Sequence, residues 1–182
     1  MAKVLETERL ILREWEQHDA DDLFEMCSDK ITNMYVIYPL YKSIDDATAR
    51  IAYCRAKYQE GIECGDIDYA IELKDENKVI GSLSLTGYSL TADGVVEVGY
   101  QLNSKYFGKG YAPEMLKAVI EYVFKNNIAS RIFAKHDVEN INSGKVMKKA
   151  NMYFEGILRK CISNNKNHRA DCALYSILKE EI

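Results

Sequence analysis

Apolar positions change their spacing along the chain, and the changes divide it into elements. Arg9-Leu10-Ile11-Leu12-Arg13 sets apolar residues between charged ends and predicts a strand. Asp19, with Asp22 three residues on, predicts the cap of a helix running to about Ser28. Ser43 followed by Asp46 resembles a capping box with Asp in place of Glu. Behind it Ile44, Ala47, Ile51, Cys54 and Tyr58 recur at three and four residues, and Gly61 stands where that helix should stop. Tyr69 to Leu73 and Val79 to Leu85 flank Asp75-Glu76-Asn77, which is a hairpin signal. Val95 to Leu102 predicts a further strand. The strongest stripe follows, with Ala112, Met115, Leu116, Val119, Ile120, Val123 and Phe124 on one helical face. Pro113 lies in its first turn, where a missing N–H is harmless. Ile132-Phe133-Ala134 predicts a short strand, Ser143 to Ala150 a short helix and Ala173 to Leu178 a last strand.

The early strands, joined by short turns, are expected to be antiparallel. The strand–loop–helix–strand unit from 95 to 136 predicts a parallel pair, so the class is α+β with a mixed sheet. With no internal repeat, low-complexity tract or linker, residues 1–182 are expected to form one domain.

Composition narrows the function classes. At 47% hydrophobic and 29% charged residues, the chain matches a folded domain rather than a disordered or fibrous one. No apolar run approaches the ~20 residues that cross a bilayer, and Met1 to Glu6 turns acidic without the apolar core of a signal peptide. The expectation is a cytoplasmic protein without a membrane partner. The five cysteines, at 27, 54, 64, 161 and 172, form no CxxC pair and read as buried thiols, not as disulfides or a zinc site. His18, His136 and His168 are scattered, so no metal is expected. Trp15 with Tyr35, Tyr38 and Tyr41 reads either as an acceptor pocket or as aromatics packed under a long loop. The net charge of −4 conceals a division: residues 1–100 hold 10 basic and 20 acidic side chains, residues 101–182 hold 14 and 8. An acidic total with only local basic clusters argues against nucleic acid as the partner.

The chemistry concentrates in Asn103 to Ala112, between a strand and the strongest helix. Gly108 and Gly110 allow close backbone approach, the helix start offers unpaired N–H groups, and Lys109 adds a charge; together they suit a phosphate or pyrophosphate. Taken alone, the loop equally reads as a tight turn needing glycine for geometry. It is not a Walker loop, because Gly110 follows Lys109 where Ser or Thr is required. Nor is it a dinucleotide fingerprint: Pro113 stands where a small residue is needed, although Asp137 sits where that fold places its ribose-binding acid.

Glu97-Val98-Gly99-Tyr100-Gln101-Leu102 followed by Tyr106-Phe107-Gly108-Lys109-Gly110-Tyr111-Ala112 resembles the acetyl-CoA segment of the GNAT N-acetyltransferases, in particular the RimJ/RimL branch. Nearly the whole chain shares the resemblance. Glu6 to Arg13 is similar to that branch's opening, Asn140-Ile141-Asn142-Ser143 with Lys149-Ala150-Asn151-Met152 to its NxxS and KLGF elements, and His168 to Tyr175 to its closing strand. The family's Q/R-x-x-G-x-G/A pattern falls on Phe107, Gly110 and Ala112; an aromatic in place of Gln or Arg is usual in this branch. Asn151 replaces the usual glycine and can still take a left-handed cap.

The resemblance implies a mixed sheet of about six to seven strands with helices on both faces. It implies acetyl-CoA as co-substrate and no metal. Phe107, at the family's Q/R position, would belong to the acetyl-CoA site; the pyrophosphate would lie on main-chain N–H groups of Gly108, Lys109, Gly110, Tyr111 and Ala112, and pantetheine would pair with main-chain groups of Gln101 and Leu102 and with Asn140. The acceptor would be a primary amine, either a protein N-terminus or a small molecule, and a homodimer is allowed. Transfer would be direct, with Glu97 deprotonating the amine and Ser143 as hydrogen-bond donor or acid at the sulfur. Many family members use a tyrosine at the position of Met147. A non-catalytic acyl-CoA-binding or regulatory module on the same fold is the alternative.

Overall fold

The computed structural model describes residues 4–60, 66–87, 94–166 and 169–182. In chain order the strands are β1 (Leu5–Glu6), β2 (Leu10–Arg13), β3 (Asp66–Leu73), β4 (Lys78–Thr86), β5 (Val95–Leu102), β6 (Arg131–Asp137), β7 (Tyr153–Ile162) and β8 (Ala170–Leu178). The α-helices are α1 (Ala20–Ser28), α2 (Ile44–Glu60), α3 (Tyr111–Lys125) and α4 (Ile141–Lys149). The strands form one sheet in the order β1-β2-β3-β4-β5-β6-β8-β7. All pairs are antiparallel except β5 with β6.

Strand alternation gives the sheet two apolar faces. Leu10, Leu12, Ile71, Leu83, Val96, Val98 and Ile132 bury against Met115, Leu116 and Val119 of α3 and Met147 of α4. On the other face Ala70 and Val79 bury with Trp15, Leu23 and Met26 and with Ala47, Ile51 and Cys54 of α2. The mixed sheet with helices on both faces is therefore present, with eight strands where six to seven were expected. The shortfall lies at the edges. β1 spans two residues, and almost every residue of β7 is exposed, so neither strand carries an apolar alternation.

Local chemistry sets the helix starts. Before α2 the Asp46 carboxylate accepts from the N–H groups of Lys42 (2.7 Å) and Ser43 (3.2 Å), half of the expected capping box. Gly61, expected to end that helix, lies outside the described residues. Asp19 stands at the start of α1 but does not cap it. Its buried carboxylate accepts instead from both terminal nitrogens of Arg13 (2.8 Å each) and from the Glu16 N–H (2.7 Å). Arg13 also reaches the partly buried Glu72 at 2.6 Å, and its paired charge is what makes the buried Asp19 carboxylate tolerable. α4 begins at Ile141, ahead of the expected Ser143, because Asn140 takes the cap and accepts from the Ser143 N–H at 3.3 Å. Asn151 ends it with φ 62°, the left-handed conformation foreseen for it.

One cysteine expectation is overturned. Cys161 and Cys172 form a disulfide between β7 and β8, with Cα atoms 6.2 Å apart. Spacing of 11 residues gives no motif; antiparallel pairing of the two strands brings the residues together. Cys27 and Cys54 are the buried thiols expected, and Cys64 lies outside the described residues.

Candidate active site

The parallel pair defines the site. β5 and β6 are in register over three positions, Val95 with Arg131, Val96 with Ile132 and Glu97 with Phe133. Both strands then run on, to Leu102 and Asp137, without further pairing to each other. β5 stays paired with β4 throughout, and beyond it the Asn103 N–H still donates to the Ile80 carbonyl at 2.8 Å. Alternation from that bond turns the main-chain groups of Gln101 toward β4 and those of Val98, Tyr100 and Leu102 into the gap. The Gln101 carbonyl oxygen does lie against β4, 2.7 Å from where a Gly81 β-carbon would stand. Of the two main-chain positions expected to meet pantetheine, Leu102 therefore faces the gap and Gln101 faces away. The Gln101 side chain instead donates to Asn33 Oδ1 at 2.8 Å.

The glycine loop lies at the C-terminal end of β5. Asn103 is buried, accepts from Lys105 N–H (3.1 Å) and donates to Glu25 of α1 (2.9 Å). Bonds from Lys78, first, and from Lys105 hold the Glu25 carboxyl down at about 2. Gly108 and Gly110 adopt φ 78° and 87°, a region that suits residues without a β-carbon. Gly110 occupies the cap position of α3, and the Glu114 N–H returns to its carbonyl at 3.3 Å. The N–H groups of Tyr111 and Ala112 precede the first helical bond, so they point out of the helix start. Phe107, Gly108, Lys109 and Gly110 are exposed, and nothing lies within 4 Å of a β-carbon built on Gly108. Lys109 Nζ rests 5.0 Å from the Tyr106 ring centroid.

Arg9 secures this loop, a role its place in the opening strand did not disclose. Its guanidinium donates to the Lys109 carbonyl (3.0 Å) and to Glu114 Oε2 (2.7 Å from Nε), and lies 4.4 Å from the Tyr111 ring centroid. Glu114 sits in the first turn of α3; bonds from Thr7 and Arg9 outweigh its partial burial and hold its carboxyl below the usual range.

The opposite wall of the gap is α4. Tyr100 Oη lies 2.9 Å from Ser143 Oγ and 3.0 Å from the Ser143 carbonyl oxygen. Beside them His136 stacks on Tyr175, with ring centroids 5.6 Å apart. His136 Nδ1 lies 2.7 Å from the Asp137 carbonyl oxygen, which only accepts, so Nδ1 carries the proton. Nε2 is buried and meets no hydrogen-bond partner among the described residues. Burial lowers the His136 pKa, so the ring is neutral near pH 7. Asp137 is buried too, accepting from Asn164 (2.6 Å) and from the Glu139 N–H (2.8 Å).

A mixed sheet that splays after one short parallel contact, with a glycine loop and helix start at the split, carries a family's architecture. The sequence pattern of the "Acetyltransferase (GNAT) domain" matches residues 9–153. The chain belongs to the GNAT acetyltransferase family. It is 34% identical over 175 residues to a Bacillus subtilis (strain 168) protein described as "Uncharacterized N-acetyltransferase YnaD", covering 96% of both chains. Its fold superposes on a GNAT acetyltransferase from Bacillus anthracis with a TM-score of 0.83 at 28% identity, covering 98% and 99% of the two chains. It also superposes on RimL, the ribosomal L7/L12 α-N-protein acetyltransferase solved with coenzyme A, with a TM-score of 0.82 at 18% identity, covering 97% and 98%.

As a GNAT acetyltransferase the chain is an acyltransferase, and its remaining candidates can be placed. Glu97 lies on the sheet face opposite Tyr100 and pairs with Lys135 of β6 at 3.2 Å. Among the described residues no hydrogen bond or ion pair joins it to Ser143. Met147 is buried in the core. Burial pushes the Cys27 thiol up to about 11 and the Cys54 thiol up to about 12, which suits neither to nucleophilic attack. The aromatic group is dispersed: Trp15 is buried with α1 and α2, whereas Tyr38 is 68% exposed. Tyr35 donates to the Glu139 carbonyl at 3.3 Å, tying the segment after α1 to the start of α4. The sequence offers His136, at the end of its strand ahead of Asn140, either as a cleft residue or as an ordinary polar strand terminus, and it offers no sign of the Tyr100 contact; yet each residue continues a strand-face alternation (Val96, Val98, Tyr100 and Ile132, Ala134, His136). A polar tip on a buried strand face was the available signal.

Proposed function

We propose that this acetyltransferase moves an acetyl group from acetyl-CoA to a primary amine, directly and without an acyl-enzyme. The observation that carries the reading is the β5–β6 gap: one wall offers free main-chain groups at Tyr100 and Leu102, and the glycine loop lies at its end. The pyrophosphate is read onto the N–H groups from Gly108 to Ala112, with Lys109 beside it and exposed Phe107 at the rim. Pantetheine is read along Leu102 as an added strand, with the Asn140 side-chain amide, whose oxygen caps α4, in reach as donor.

Glu97 and Ser143 are read on opposite sides of the split. The amine approaches from the Glu97 side and its lone pair attacks the thioester carbonyl. The C–N bond forms, the C–S bond breaks and the electron pair leaves on sulfur. Glu97 takes the surplus ammonium proton and passes it to water. Ser143 donates a hydrogen bond to the sulfur as charge builds, and water supplies the proton that completes the thiol. The raised thiols of Cys27 and Cys54 support direct transfer over a covalent intermediate.

The acceptor is a protein N-terminus or a small amine. Thiol release from acetyl-CoA, scanned over peptides of varied N-terminal residue and a panel of small amines, tests both. Turnover on one class names the acceptor. Tight CoA binding with no turnover above hydrolysis on either class would overturn the reading.

A further inference from the structure

Within the reading just given, Ser143 steadies the departing sulfur, and the structure shows what aims its proton. α4 has Met147, buried in the core, where many GNAT members have a tyrosine, so it brings only the Ser143 hydroxyl to this wall. A tyrosine hydroxyl reaches the same spot from the strand across the gap. Tyr100 Oη stands 2.9 Å from Ser143 Oγ and 3.0 Å from the Ser143 carbonyl oxygen. The phenol has one proton and two acceptors within reach.

The two placements have opposite consequences. With the phenolic proton on the carbonyl, the 2.9 Å contact can be bonded only if Ser143 donates to Tyr100, which draws its proton away from the gap. With the phenolic proton on Ser143 Oγ, the serine proton is released toward the gap and strengthened as a donor, because hydrogen bonds in series polarise one another. Negative charge growing on sulfur favours the second placement. Burial raises the Tyr100 pKa, so the phenol keeps its proton throughout. Packing of the half-buried ring against the core holds Oη in place.

We propose that Tyr100 is the positioning residue for Ser143: its hydroxyl sets the direction of the serine proton as the CoA thiolate leaves. The test is a cycle of Tyr100→Phe, Ser143→Ala and the double variant, each measured for kcat, for KM of acetyl-CoA and for thermal unfolding. Tyr100→Phe keeps the ring and its packing while removing the hydroxyl. It is expected to lower kcat about tenfold, with KM for acetyl-CoA within about twofold, as loss of one aligned hydrogen bond does. In the Ser143→Ala background the same change is expected to have no further effect, because a residue acting through another is silent once that other is gone. Full kcat in Tyr100→Phe, or a loss that multiplies with that of Ser143→Ala, overturns the proposal and leaves the acetyltransferase reading standing. Full kcat in Ser143→Ala instead removes the role assigned to Ser143, and the proposal with it.

Discussion

Gly144 of α4 presses on the His136 ring of β6 so closely that a β-carbon there would stand 2.8 Å from Nε2 and 3.2 Å from Cε1. The helix can reach β6 only because this position has no side chain. Gly144→Ala would raise intrinsic helix propensity by ~1 kcal/mol. It would also force α4 off the strand, and overpacking of this kind costs about 1–3 kcal/mol. The net expectation is a lower unfolding midpoint in urea and a lower kcat, since Ser143 moves with its neighbour. The pyrophosphate contacts, read onto a different loop, should hold, so affinity for CoA should fall only as far as the Asn140 contact at the start of α4 is lost. A variant as stable and active as the parent would show that the contact relaxes freely.

The same histidine predicts a pH dependence of stability. Folding lowers the His136 pKa through burial, so the unfolded chain takes up a proton that the folded chain resists. That contribution is fully present above the unfolded pKa of about 6.5 and is lost as pH falls from there toward the folded value. The unfolding temperature should therefore decline between about pH 7 and 5, before the carboxylates titrate. His136→Gln, which cannot become charged, should flatten that decline. Equal slopes for parent and variant would refute the assignment.

What the sequence disclosed follows burial. The α3 stripe was legible because each of its apolar positions faces the core, and Asn151 because its left-handed turn has a chemical signature. The loop from Phe107 to Ala112 was legible because Gly108 and Gly110 mark backbone geometry directly. β7 was not, since its exposed faces impose no period on its residues. Contacts across the sheet escaped for another reason. Tyr100 meets Ser143 at 43 residues' separation, and Cys161 meets Cys172 across a register shift in the β7–β8 pairing. Asp19 had the residue type of a cap, but its carboxylate is taken by Arg13 and by the Glu16 N–H.

At the loop, Gly110 and Arg9 should fail in distinguishable ways. Gly110 has φ 87°, and a β-carbon there would stand 3.3 Å from Arg9 Nη2. Gly110→Val should destabilise the loop by more than the ~1–2 kcal/mol of an ordinary left-handed residue and abolish CoA binding. Arg9→Ala leaves the glycines untouched but exposes the Glu114 carboxylate to the anion read at the helix start. One charge of the wrong sign there is worth about 1 kcal/mol, or about fivefold in affinity. That weakening should shrink in high salt, because the charge is partly exposed. Titration of CoA by calorimetry at two ionic strengths separates the two effects. Unchanged affinity in Gly110→Val would remove the pyrophosphate from this loop.

Glu97 and Ser143 make the opposite prediction from Tyr100 and Ser143. Alternation puts Glu97 on the far face of β5 from Tyr100, where it pairs with Lys135 at 3.2 Å. If Glu97 takes the proton from the amine while Ser143 stabilises the sulfur, the two groups share no partner. Glu97→Gln preserves shape and removes the base, so kcat should fall by about 100-fold or more, as loss of a general base does, with CoA affinity unchanged. Combined with Ser143→Ala, the losses should multiply, since distant independent sites add in free energy within ~0.5 kcal/mol. A double variant no slower than Glu97→Gln alone would place both residues in one proton path and remove the division of labour across the strand.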